Sequence, residues 1–83
     1  MSGSVRIKSF RKIKNNLKKL GISWEPKRGK GSHGCFIGPN QETGGLHSYP
    51  IPKNQQREIT IDYIKGIRRH FGLTDKKWDN LFD

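Results

Sequence analysis

Apolar positions along this chain change rhythm several times, and each rhythm predicts an element. Phe10, Ile13, Leu17 and Leu20 stand at i, i+3, i+7 and i+10. That spacing puts them on one face of a helix running from about Ser9 to Leu20. Ser9 is placed to cap its start and Gly21 to end it. Alternation takes over at Ile22 and Trp24, and Pro26 closes a short strand. Cys35-Phe36-Ile37 reads as a second strand stopped by Gly38-Pro39-Asn40. After a polar loop ending in Gly44-Gly45, Leu46 to Ile51 reads as a third, closed by Pro50 and Pro52. The helical period returns with Ile61, Ile64, Ile67 and Phe71, between Thr60 as cap and Gly72 as stop. Thr74 then opens a short tail helix with Trp78, Leu81 and Phe82 on one side, a pattern that favours packing over a partner contact.

The order α-β-β-β-α plus a tail predicts an α+β fold. Three short strands joined by Gly-rich turns form an antiparallel sheet, and two helices cover one of its faces. Double-stranded RNA-binding domains use the same element order. An 83-residue chain is expected to be one domain over 1–83, with a core of about 9–73 and a tail helix of about 74–82. Gly66 sits inside the second helix at a cost of about 1 kcal/mol relative to Ala. Such a glycine suits a close approach to the sheet.

Charge changes the picture. The chain carries a formal net charge of +10, and residues 1–33 hold ten Lys and Arg against the single acid Glu25. Residues 34–83 hold seven bases and six acids. A polyanion should therefore meet the N-terminal half; the plainer reading of those lysines is a solubilising helix face. Cys35 is the one cysteine, so an internal disulfide is excluded, which fits a reducing compartment. No apolar run approaches the roughly 20 residues of a membrane span. No apolar secretory segment stands at the N-terminus. A cytoplasmic protein without membrane contact is the expectation.

The densest chemistry lies in Lys27-Arg28-Gly29-Lys30-Gly31-Ser32-His33. Cations bind phosphate, and glycines let it approach the backbone. His exchanges protons near neutral pH, so His33 is a candidate base at a phosphodiester. Lys27, Arg28, Lys30 and Ser32 are the candidate RNA contacts. The alternative for His33 is a loop histidine that bonds its own turn. His47 is a weaker acid/base candidate, and His70 suits a helix C-terminus. His33, Cys35 and His47 fall short of the four ligands of structural zinc, so no metal and no cofactor are expected. Cys35 and Phe36 read as buried residues. Trp24, Tyr49 and Phe36 are the aromatics that base stacking would draw on.

A short basic α-β-β-β-α chain with Lys30-Gly31-Ser32-His33 entering its second strand resembles the HicA (YcfA-like) toxins. The resemblance spans roughly Phe10 to Leu73. It includes the helix ending Leu20-Gly21, the segment Tyr49-Pro50-Ile51-Pro52-Lys53, and a helix opening at Thr60 and closing at Gly72-Leu73. It implies a fold like a double-stranded RNA-binding domain. It also implies an mRNA interferase, a metal-independent endoribonuclease cleaving mRNA with His33 as catalytic residue, paired with a cognate HicB-like antitoxin. Asn54 stands where family members often place a second His, and the tail from Asp75 to Asp83 is additional. The competing expectation is a non-catalytic RNA-binding module of the same fold.

Overall fold

Helix α1 forms over Phe10–Lys18 because its one apolar stripe, Phe10, Ile13 and Leu17, is wholly removed from water. The Ser9 hydroxyl accepts from the Lys12 amide at 3.4 Å and caps it. This is a computed structural model, and it describes residues 9–27 and 33–82. Strands β1 (Ser23–Glu25), β2 (Gly34–Pro39) and β3 (Leu46–Ile51) follow, then a 3-10 turn at Lys53–Gln55. Helices α2 (Ile61–His70) and α3 (Asp75–Leu81) complete the order. The fold is α+β, with an antiparallel sheet in the order β1-β2-β3.

Register decides what each strand offers to the helices. Trp24, Phe36 and Tyr49 are cross-strand partners and form one row on one face. Phe10 of α1 packs against Trp24 and Phe36, with ring centroids 4.8 and 5.6 Å away. Tyr49 meets α2 at Gly66, where a Cβ would overlap the phenol oxygen. Both helices thus lie over the same face, α1 beside β1 and α2 beside β3. The expected close approach of Gly66 to the sheet is present, and its partner is Tyr49.

The core gathers Ile13, Leu17, Ile22, Phe36, Ile51, Ile59, Ile64, Ile67, Phe71 and Trp78, all essentially without solvent exposure. Two expectations need correction. The helical spacing puts Ile61 on the buried face of the second helix, but it is the first residue of α2 and stays 40% exposed. The second strand does not stop at Gly38. It runs on through Pro39, because Gly38 and Pro39 pair with His47 and Leu46 of β3; on the other side a Cβ at Gly38 would stand only 2.6 Å from the Ile22 Cα. Thr60 stands at the N-cap of α2 without a capping bond from its side chain. Its amide instead donates to Gln55 Oε1 at 2.7 Å.

The tail is built into the core. Trp78 is fully buried, with the Phe82 ring 4.7 Å from it and the Arg68 guanidinium 5.7 Å from its ring centre. Arg68 also pairs with Asp75 at the start of α3. Among the described residues no helix is long and apolar enough to cross a membrane.

Candidate nucleic-acid interface

Two regions carry the chemistry. The first surrounds His33, which is exposed and immediately precedes β2. Gly34 pairs with Ile51, and Cys35 pairs with Glu25 on one side and Pro50 on the other. His33 therefore stands at the end of the sheet where β1 leaves toward Lys27 and β3 leaves toward Lys53. Lys27, Lys53 and Asn54 are all exposed. Gly34 is required here, since a Cβ would run into the Trp24 indole, which lies across it. The neighbour of His33 is thus held between two strands and under an aromatic ring.

Trp24 links this end of the sheet to the lysines of α1. Lys14, Asn15 and Lys18 line a groove of about 330 Å³ with Ser23 and Trp24. Arg11, Lys12, Lys18 and Lys19 are exposed on the same helix. Positive charge on α1 and an aromatic edge therefore share a groove that adjoins the His33 end. Of the residues singled out in the sequence, Lys27 and His33 flank this end. Arg28, Lys30 and Ser32 lie outside the described residues.

The second region assembles what sequence reasoning kept apart. His47 pairs with Gly38, four residues along β2 from Gly34, or roughly 13 Å at strand spacing. It belongs to the far end of the sheet from His33, so the two are not an acid/base pair in one site. Its ring packs against His70 of α2, with centroids 6.3 Å apart and planes at 87°. His70 stands 4.6 Å from Tyr49, and Tyr49 stands 6.2 Å from Tyr63. Among the described residues no three His, Cys, Asp or Glu side chains gather as metal ligands.

Local bonds explain why this cluster forms. Carbonyls at a helix C-terminus need donors from elsewhere. Those of α2 find them in the β2–β3 turn: Asn40 Nδ2 donates to the His70 carbonyl at 3.1 Å, and the Gln41 amide donates to that of Phe71 at 2.8 Å. The same turn carries β3 back past His47, so capping the helix brings His70 and His47 together. His70 Nδ1 lies 3.2 Å from the Gly66 carbonyl oxygen. A carbonyl only accepts, so Nδ1 is the donor in this contact. Burial pushes the Tyr49 phenol above its ordinary range, Tyr63 adds to this, and the nearby positive charge of Arg69 opposes it.

Part of this cluster was legible as spacing. Tyr63, Gly66 and His70 fall at i, i+3 and i+7 on one helix face, and His47 and Tyr49 at i and i+2 on one strand face. That the two faces meet depends on register and helix docking. No protein family, curated protein or solved structure matches this chain.

Proposed function

We propose that this chain is a HicA-like toxin, a metal-independent endoribonuclease that cleaves mRNA in the cytoplasm with His33 as general base. The observation that carries the reading is the setting of His33. It is exposed at the mouth of the sheet, next to a glycine that packs under Trp24, with the exposed Lys27 and Lys53 two residues beyond the ends of the flanking strands. The α-β-β-β-α order with both helices over one sheet face supports a fold like a double-stranded RNA-binding domain, and hence a nucleic-acid partner.

In this reading His33 removes the proton of a ribose 2′-hydroxyl. The 2′-oxygen attacks phosphorus, the P–O5′ bond breaks to leave a 2′,3′-cyclic phosphate, and the departing 5′-oxygen takes a proton from water to become a 5′-hydroxyl. Proton transfer of this kind contributes about 10²–10⁴-fold, and lysines facing the phosphate oxygens stabilise the charge that develops. DNA lacks the 2′-hydroxyl and is not cut. Lys27, Arg28, Lys30 and Ser32 are the proposed RNA contacts of the loop. A cognate HicB-like antitoxin, acidic where it covers the His33 end, would inhibit by excluding RNA.

The test incubates the purified protein and its His33→Ala variant with single-stranded mRNA in EDTA. Cleavage by the unaltered protein alone supports the reading. RNA binding without cleavage by either overturns the enzyme and leaves the non-catalytic RNA-binding module. Equal cleavage by both removes His33 from the mechanism.

A further inference from the structure

The ring cluster between β3 and α2 has no part in the chemistry at His33. It is also not ordinary core. His47 is exposed, and Tyr49, Tyr63 and His70 are each half-buried. Tyr49 and Tyr63 pack against the core on one side, and with His47 and His70 they bring four rings with polar atoms to the surface. Tyr49 and His70 are in contact at 4.6 Å with their planes tilted by 47°. His47 meets His70 at 87° and Tyr63 meets Tyr49 at 62°, with centroids 6.3 and 6.2 Å apart, so the outer rings His47 and Tyr63 are not stacked face to face on the inner pair. Arg69 is exposed beside them and near enough to act on the Tyr49 phenol. Tyr49 packs against Gly66, and His70 is tied to the Gly66 carbonyl, so these two rings are positioned by the protein's own contacts.

One exposed ring and three half-buried ones beside an exposed cation match what an unstacked nucleobase and its phosphate require. We propose that His47, Tyr49, Tyr63 and His70, with Arg69, form a stacking subsite for one nucleotide of single-stranded RNA. This rests on the RNA reading given above and names the form of RNA. A duplex hides its base faces within the helix and offers this cluster nothing to stack on. The subsite lies roughly 13 Å along the sheet from the His33 end, within reach of a strand held at both. Ring contacts here add a preference for unpaired RNA to the charge-based binding of the N-terminal half.

The test measures binding of a short 2′-O-methyl RNA strand, which lacks the hydroxyl needed for cleavage, and of the same strand in a duplex. The protein is compared with His47→Ala, Tyr63→Ala and Tyr63→Phe, each checked for an unchanged circular-dichroism spectrum. His47 is exposed, so its variant keeps the fold and the test stays decisive should Tyr63→Ala unfold. Loss of one stacked base predicts roughly 5- to 160-fold weaker single-strand binding for the two Ala variants. Duplex binding should hold steady, and Tyr63→Phe should bind as the unaltered protein does. Equal weakening toward both forms, or none, overturns the subsite while leaving the RNA reading in place. Failure of the unaltered protein to bind either form overturns both.

Discussion

The Tyr49 phenol occupies the space in which a side chain at residue 66 would begin. One residue sits on the edge strand β3 and the other inside α2, so this pair sets how closely helix and sheet approach. A glycine that weakens the helix locally is kept because the packing of Tyr49 needs it.

Gly66→Ala should therefore destabilise the fold by about 1–3 kcal/mol through overpacking, although Ala favours an isolated helix by about 1 kcal/mol. In a Tyr49→Ala background the same change should become neutral or stabilising, because the overlapping ring is gone. A double-mutant cycle by urea denaturation measures the coupling. Additive effects would show that the two residues do not constrain each other.

Tyr49 also predicts a pH dependence. Its phenol titrates above the ordinary value of 10.0 in the fold, chiefly through burial. The folded state then holds the proton more tightly than the unfolded chain does. The stabilisation is fully present below about pH 10 and is lost as pH rises through the folded value. Tyr49→Phe has no proton to lose, so its melting temperature should fall less steeply above pH 10. Parallel curves for the two proteins would contradict this.

Lys27 and Lys53 are exposed just beyond the ends of the strands that flank His33. If each meets a phosphate, replacing either by Ala should lower the slope of log affinity against log salt by about 0.7 for single-stranded RNA. Titrations at several salt concentrations read this directly. Lys76, exposed on α3, serves as the comparison and should leave the slope unchanged.

Trp78 ties the tail to the body of the protein. Trp78→Ala should cost about 3–5 kcal/mol, a large share of a stability on the order of 5–10 kcal/mol for a chain of this size. Thermal unfolding should show one cooperative transition at much lower temperature. A barely shifted midpoint would mean that α3 is an accessory to an independent core.

What the sequence determined by itself is the set of elements and the inward faces of most of them. Periodic burial of Phe10, Ile13, Leu17, Ile64, Ile67 and Phe71 is a local property, because a regular helix puts those spacings on one side whatever lies opposite. Gly21 and Gly72 mark the ends of their helices for similarly local reasons, and both have positive φ, 78° and 63°. The position of His33 at the entry to β2 was legible in the same way. Tertiary structure decided everything that depends on a partner. Ile61 carries the helical period yet stays 40% exposed, while Ile64 one turn on is buried, because the covering surface begins past the first residue of α2. Strand register sends His47 away from His33 and toward His70, and a shift of one residue would have turned it to the other face. Trp24 lies over Gly34, and Tyr49 over Gly66, only because separate segments dock there. Periodicity specifies which way a residue points within its own element, whereas proximity between elements is set by how their surfaces fit together.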